Sequence, residues 1–141
     1  RMQIHEGVML DAGMLLCHPQ TPASGVASVG YELALEHTGS WRLSCIIGCP
    51  PKGLRLPASA EPQRRDGLWQ STCFEAFFLD EASGRYVEYN FSPSGEWAAY
   101  RFGGYRRGQA NLDCPTPQIV TTAPQQAEDA LKRLAETHGL D

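Results

Sequence analysis

The sequence has 141 residues, of which 42% are apolar and 20% are charged, and its formal net charge is -4. A chain of this size and composition is typical of one globular domain with enough apolar surface to form a core. The acidic balance and the lack of a stripe of Lys and Arg argue against nucleic-acid binding, and no apolar run approaches the roughly 18 residues of a membrane-spanning helix.

The N-terminal half predicts an arm followed by a β-hairpin. Residues 1–14 have no clear hydrophobic period and are interpreted as an N-terminal arm, either loosely attached or vector-derived. Residues 26–37 and 41–47 alternate apolar and polar side chains around the turn residues Thr38, Gly39 and Ser40, which is typical of paired, half-exposed strands. Residues 50–65 carry four of the ten prolines and predict a long loop.

Two aromatic-rich runs predict the central strands of an antiparallel sheet. They are DGLWQSTCFEAFF at residues 66–78 and YVEYNFSPSGEWAAYRF at residues 86–102, and residues 80–84 supply the turn between them. Because side chains alternate along a strand, we expect Glu75 and Glu88 to lie on neighbouring strands and to face the same side, with Asn90 beside Glu88. Polar groups therefore collect on one face of this hairpin.

The C-terminal part changes character. Residues 118–122 predict one more short strand, and residues 124–141 predict a short amphipathic helix with an apolar stripe that includes Leu131 and Leu134. A helix this short is marginal alone in water, so these leucines are expected to pack on the β-domain or across a homodimer interface. The predicted organisation is an arm (1–14), a β-domain (15–123) and a helix (124–141).

The chain resembles the DOMON-like bacterial domains through the strings RDGLW (65–69), TCFE (72–75) and NFSPSGEWAAYRF (90–102). These domains are similar to the family-nine carbohydrate-binding modules and to the DOMON superfamily, whose members bind haem or sugars. The resemblance covers about residues 17–122. It implies an all-β fold, an antiparallel two-sheet β-sandwich that holds a ligand on a concave face or at a loop end, without catalytic machinery. The C-terminal helix departs from the family, which usually continues with further strands.

Six residues are candidate ligand contacts: Trp69, Glu75, Glu88, Asn90, Trp97 and Arg101. One interpretation of Trp69 and Trp97, suggested by the similar carbohydrate modules, is a pair of aromatic walls that stack on a sugar ring. The other interpretation is two core residues.

The carboxylates also have more than one interpretation. Glu75, Glu88 and Asn90 either hydrogen-bond to sugar hydroxyls, with Arg101 and Arg106 pairing the carboxylates, or form a salt-bridge network that fixes strand register. Two glutamates on adjacent strands are also the residue types of a glycosidase acid and base, although no further catalytic group accompanies them.

Cofactor and metal sites are not expected. The five cysteines are an odd number without CxxC spacing, so reduced, mostly buried thiols and no structural zinc are predicted. Haem requires two axial ligands, and the histidines in the region of resemblance are His18 and His37 only. Loop carboxylates, among them Asp66 and Asp80, offer oxygen ligands, so a calcium site is an alternative.

The sequence therefore predicts a non-catalytic binding module for a carbohydrate or similar small polar ligand. One alternative is a protein-interaction or structural domain that uses a sheet edge or the C-terminal helix. A second is a glycoside hydrolase that uses Glu75 and Glu88. The N-terminal residues lack the pattern of a secretory signal, so the expected location is the cytoplasm.

Overall fold

The computed structural model describes residues 7–15, 28–48 and 56–121, together with Lys132 and Glu136. The strands are β1 (Gly7–Met14), β2 (Ser28–Glu36), β3 (Trp41–Gly48), β4 (Phe74–Leu79), β5 (Tyr86–Phe91), β6 (Trp97–Phe102) and β7 (Ala110–Asn111), with one 3-10 turn at Leu68–Gln70. They form two antiparallel sheets, in the orders β1-β2-β3 and β4-β5-β6-β7. The predicted β-rich fold is confirmed, whereas the packing of the sheets as a sandwich stays a prediction.

Contacts divide the chain into two compact units. The three-stranded sheet belongs to one unit, and the four-stranded sheet belongs to the other, which spans Arg55–Thr121. Every residue of the candidate site lies in this second unit.

Residues 7–14, which the sequence assigns to a loose arm, form β1 in the first sheet. This strand pairs with β2 from Gly7 opposite Glu36 to Met14 opposite Gly30, and the register shifts by one residue between Met9 and Asp11. Such a bulge changes the face on which successive side chains lie, which explains why no period of two is visible in this segment. The arm predicted for these residues is therefore corrected to an edge strand.

The hairpin predicted around residues 38–40 is confirmed. Strands β2 and β3 pair from Ser28 opposite Gly48 to Leu35 opposite Trp41. The turn places Gly39 at φ +83°, a left-handed conformation that glycine adopts without steric cost.

The register of the second sheet divides its side chains between two faces. Strands β4 and β5 pair with Glu75 opposite Asn90 and Phe77 opposite Glu88, and β5 and β6 pair with Glu88 opposite Tyr100. Directly opposed residues share a face, so the predicted placement of Glu75, Glu88 and Asn90 on one side is confirmed. We call this side the front face. It also carries Leu79, Tyr86, Ala98, Phe102 and Asn111.

The opposite side, the back face, is largely apolar. It carries Phe74, Ala76, Phe78, Val87, Tyr89, Phe91, Trp97, Ala99, Arg101 and Ala110. Apolar residues on both faces of the sheet agree with the sequence pattern of its central strands.

Two tight turns set this register. In the β4–β5 turn, the amide of Asp80 donates to the carbonyl of Arg85 at 2.8 Å, and the Asp80 carboxylate accepts the hydroxyl of Ser83 at 2.8 Å. In the β5–β6 turn, the amide of Ser92 donates to the carbonyl of Glu96 at 2.9 Å. Short turns with internal hydrogen bonds leave no freedom for a strand to slip.

The β5–β6 turn contains a buried polar network. Ser92, Ser94 and Glu96 are all buried, and the Ser94 hydroxyl donates to the Glu96 carboxylate at 3.1 Å. Arg65 completes the network with Nη1 3.1 Å from Glu96 Oε2, and this hydrogen bond is the main cause that lowers the pKa of Glu96. Buried polar groups of this turn are thus paired, as stability requires.

Two segments share the outer edge of β6. Strand β7 pairs with Tyr100 and Arg101, whereas residues 63–65 run beside the start of β6. The amide of Trp97 donates to the carbonyl of Gln63 at 3.1 Å, and the amide of Arg65 donates to the carbonyl of Trp97 at 2.8 Å. The long loop predicted from the prolines therefore ends in an ordered segment.

The side chain of Arg64 joins these two segments. Its Nη1 donates to the carbonyl of Ala99 at 2.9 Å, and its Nη2 donates to the carbonyl of Leu112 at 2.7 Å. The guanidinium carbon lies 4.3 Å from the ring centroid of Trp97, within cation–π range. Arg64 is thus a structural clamp on the edge of β6.

Two C-terminal predictions have different outcomes. Residues 118–121 have no regular secondary structure, so the strand predicted there is absent from this part of the chain. The nearby prolines at 115 and 117 lack the amide hydrogens that pairing requires. The helix predicted over 124–141, with Leu131, Leu134 and the dimer interface, lies outside the described residues, apart from Lys132 and Glu136, which are helical and exposed. In the described part of the chain, no helix has the length and apolarity needed to cross a membrane.

Removing the Arg64 clamp should destabilise the protein. We expect Arg64→Ala to lower the free energy of unfolding by about 2–3 kcal/mol, because two backbone carbonyls lose a charged donor. Arg64→Lys should recover only part of the loss, since an ammonium cannot span both carbonyls. The measurement is urea-induced unfolding followed by tryptophan fluorescence. Arg85→Ala, at an exposed turn position, is the control, and equal losses in the two alanine variants would refute the clamp.

Candidate functional site

The front face forms the floor of an open cavity of about 1030 Å³. Its aromatic lining residues are Trp69, Phe77, Tyr86, Tyr100, Phe102 and Tyr105, and its polar lining residues include Asp66, Glu88, Asn90, Arg106, Gln109 and Asn111. These come from the 3-10 turn and the two residues before it, from the sheet, and from the loop between β6 and β7. The volume is in the range of small-molecule sites.

Three aromatic side chains of the cavity are largely exposed. Trp69 is 66% exposed, Phe77 57% and Tyr105 75%, whereas Tyr100 and Phe102 are buried. Large apolar rings gain free energy when they leave water, so an exposed group of them around a cavity indicates a contact surface.

The 3-10 turn holds Trp69 at the cavity because its neighbour Leu68 is anchored. Leu68 is buried and packs in one cluster with Ala98, Tyr100 and Phe102. The turn begins at Gly67 with φ +78°, a left-handed conformation that would strain other residues. Leu68 therefore faces the core of the unit while Trp69 is left in solvent.

The loop after β6 holds Tyr105 and Arg106 at the same cavity. The amide of Arg107 donates to the carbonyl of Gly104 at 3.0 Å, which closes a tight turn with these two residues at its tip. Arg106 has φ +54°, a strained conformation for a residue with a side chain, and its amide donates to the hydroxyl of Tyr86 at 3.1 Å. Strain of this kind clusters at ligand sites, where the surrounding structure maintains it.

The floor of the cavity carries two hydrogen-bond acceptors without partners, Glu88 and Asn90, which we call the acceptor pair. Asn90 is 3% exposed, and its Oδ1 has no hydrogen-bond partner among the described residues. Glu88 is half-buried and likewise lacks a hydrogen bond or ion pair in the part of the chain that the structure describes. Desolvation, and secondarily the charge of Glu75, raises the pKa of Glu88.

Asp66 and Tyr100 form a fixed polar pair beside the acceptor pair. The Tyr100 hydroxyl donates to Asp66 Oδ1 at 2.5 Å. Burial, followed by this hydrogen bond, raises the pKa of Tyr100 to about 12. The phenol is therefore neutral at physiological pH and keeps the carboxylate of Asp66 at the cavity.

The structure brings together four of the six residues that the sequence singled out. Trp69, Glu88 and Asn90 line the cavity, and Glu75 lies on the same face opposite Asn90 without lining it. Trp97 and Arg101 are not brought together with these four, because the register places both on the back face.

The pair of aromatic walls predicted from Trp69 and Trp97 is not formed. Trp97 is only 4% exposed and lies beneath the Arg64 guanidinium, so its interpretation as a core residue holds. The exposed aromatic partners of Trp69 at the cavity are Phe77 and Tyr105.

Sequence reasoning missed the contributions of Tyr86, Tyr100 and Tyr105. The loop glycines at 103, 104 and 108 around an aromatic residue were the available signal for Tyr105, because they indicate a tight turn that carries an exposed side chain.

Among the described residues, the other reactive side chains do not form a second site. Cys45, Cys73 and Cys114 are free thiols, and burial raises the pKa of Cys45 to about 11 and also raises that of Cys73. A protonated thiol is a poor nucleophile. Among the residues that the structure describes, no three His, Cys, Asp or Glu side chains are grouped to hold a metal ion.

Comparison of the chain with models of protein families, with curated proteins and with solved structures found no match. The resemblance to DOMON-like domains therefore stays a prediction, and the site is interpreted from its own geometry.

Replacing Glu88 should stabilise the protein at neutral pH. The pKa of Glu88 is raised in the folded state, so the folded state binds more protons than the unfolded state between the two pKa values. Stability is therefore lost as the pH rises through that window, and the loss persists at pH 7. We expect Glu88→Gln to raise the free energy of unfolding by less than about 1 kcal/mol at pH 7, since the side chain is only half-buried.

The gain in the free energy of unfolding should vanish at pH 3. This pH is below the ordinary glutamate pKa of about 4.3, so the carboxyl of Glu88 is protonated in both the folded and the unfolded state. Urea unfolding at the two pH values measures it. Glu81→Gln, in the exposed β4–β5 turn, is the control. A Glu88→Gln variant less stable than the parent at pH 7 would show that the carboxylate is held by a favourable interaction.

Proposed function

We propose that the front-face cavity binds a carbohydrate or a similar small polyhydroxylated ligand and does not catalyse a reaction. The observation that carries the proposal is the combination of exposed aromatic rings around the cavity with unpartnered acceptors on its floor. Each feature alone costs stability, and one type of ligand satisfies both.

Sugars present two kinds of surface. The faces of a pyranose ring carry C–H groups that pack against aromatic rings, and its edges carry hydroxyls that donate and accept hydrogen bonds. Trp69 and Tyr105 supply exposed rings, and the acceptor pair supplies two hydrogen-bond acceptors, of which the buried Asn90 Oδ1 needs a donor. Gln109 and Asn111, which also line the cavity, can both donate and accept.

The interaction-domain alternative fits the cavity less well. A partner protein is usually bound by a flat apolar patch or by an unpaired strand edge. Strand β4 is at the edge of its sheet and exposes Leu79, but the exposed aromatic residues Trp69, Phe77 and Tyr105 line a concave cavity with polar groups on its floor. Concave sites with a few convergent polar groups are typical of small ligands.

The hydrolase alternative is favoured by one observation only. A raised pKa suits a general acid, and the pKa of Glu88 is raised. A glycosidase needs a second carboxylate across the scissile bond. Glu75 is not part of the cavity lining, and the Asp66 carboxylate, which does line it, already accepts the hydroxyl of Tyr100. Binding without hydrolysis is therefore the better account.

The proposal depends only on residues of one unit and applies with or without a sandwich of two sheets. The resemblance to sugar-binding modules and the predicted cytoplasmic location are compatible with it, although the carbohydrate modules suggested a different aromatic pair.

Truncating the exposed aromatic residues should abolish most binding without unfolding the protein. We expect Trp69→Ala and Tyr105→Ala each to weaken sugar binding about tenfold, the upper range for loss of one aromatic contact. Because both side chains are exposed, the melting temperature should change little. Affinity is measured by calorimetric titration with a panel of neutral and amino monosaccharides and their disaccharides.

Val120→Ala, another largely exposed position in the same unit, is the control and should bind as the parent does. Trp97→Phe should lower stability and keep the affinity, because Trp97 is buried on the back face. A panel in which no saccharide binds the parent protein would overturn the proposal.

A further inference from the structure

We propose that the ligand carries a protonated primary amine, as an amino sugar does, and that the acceptor pair, Glu88 and the side-chain oxygen of Asn90, receives it. This inference rests on the proposed carbohydrate function and names the chemical class of the sugar.

The two acceptors lie close together on one strand. Glu88 and Asn90 are two residues apart in β5 and share the front face, so their Cα atoms are about 7 Å apart. A carboxylate and an amide oxygen only accept hydrogen bonds. A primary ammonium group has three donors and can serve both acceptors at once, whereas one hydroxyl has a single donor.

The charge around the acceptor pair is negative. Glu75 lies directly opposite Asn90 on β4, and Asp66 lines the same cavity. Arg106 is the one cation among the described lining residues, and its guanidinium lies over the ring of Tyr105, 5.2 Å from the centroid. An ammonium group would balance this excess of carboxylates.

The neighbours of Glu88 across the sheet also favour an ammonium group. Phe77 on β4 and Tyr100 on β6 lie directly opposite Glu88, so aromatic side chains flank the carboxylate on both sides. Aromatic faces attract cations when water is displaced. Burial and Glu75 also raise the pKa of Glu88, so a bound cation would relieve the unfavourable environment of the carboxylate.

The acceptor pair should also distinguish between types of amine. Asn90 Oδ1 is buried without a partner and requires a donor, so a primary ammonium should be preferred to a trimethylammonium, which has none. Acetylation of the amine should weaken binding, because it removes the charge and two of the donors.

The test compares three related sugars on the intact protein: D-glucosamine, D-glucose and N-acetyl-D-glucosamine. At pH 6.5, where the amine is protonated, we expect glucosamine to bind at least about tenfold more tightly than either neutral sugar, the effect of one charge-assisted interaction. In Glu88→Gln this preference should fall below about threefold. Glu81→Gln removes the same charge from an exposed turn and should keep the preference.

The outcomes separate this inference from the proposed function. If glucose binds as tightly as glucosamine, the amine specificity is overturned, and if Glu88→Gln keeps the preference, the role of Glu88 is overturned. In both cases the carbohydrate function stands. If tetramethylammonium, which has no hydrogen-bond donor, binds as tightly as glucosamine, the hydrogen bond assigned to Asn90 Oδ1 is overturned. If neither these three sugars nor the wider saccharide panel binds, the proposed function fails as well.

Discussion

The register of β4, β5 and β6 is the constraint on which the site depends. Side chains alternate along a strand, so a slip of one residue would move Glu88 and Asn90 to the back face and bring Trp97 to the front. The two turns prevent this slip with hydrogen bonds inside each turn. The β5–β6 turn adds a network of buried groups in which Glu96 is paired by Ser94 and Arg65. The polar groups of this turn are satisfied, whereas Asn90 Oδ1 on the cavity floor has no partner among the described residues.

This contrast indicates where the protein gives up stability. An unpartnered buried acceptor, such as Asn90 Oδ1, and exposed aromatic rings each raise the free energy of a folded protein in water. Both features occur at the front-face cavity of the same unit, which the strained residue Arg106 also lines. A bound ligand that stacks on the rings and donates to the acceptors would offset both unfavourable contributions to the free energy of the folded protein. The Arg64 clamp and the Leu68 anchor then explain how a small sheet maintains such a face.

Alternation within single strands made a large part of the fold predictable from the sequence. The hairpins around residues 38–40 and 80–85 follow from period-two patterns and turn residues, and the shared face of Glu75, Glu88 and Asn90 follows from the same rule. Strand β1 could not be recognised because its bulge interrupts the period. Alternation alone does not determine which side of the sheet a residue faces, because that also depends on the turn before its strand. The β5–β6 turn places Trp97 on the back face.

The parts of the site that come from loops were the least predictable. Trp69 was identified by its residue type, but its exposure depends on the 3-10 turn that buries Leu68 beside it. Tyr105 and Arg106 reach the cavity through a turn whose shape is fixed by contacts distant in sequence, such as the hydroxyl of Tyr86. Such contacts have no periodic signature in the sequence.

A crystal structure of the protein with glucosamine bound would test the account most directly. We expect a sugar ring against Trp69 or Tyr105 at the front-face cavity, with its nitrogen within hydrogen-bond distance of both Glu88 and Asn90 Oδ1. Sugar bound only on the back face, or on the front face with its nitrogen directed away from the acceptor pair, would contradict it.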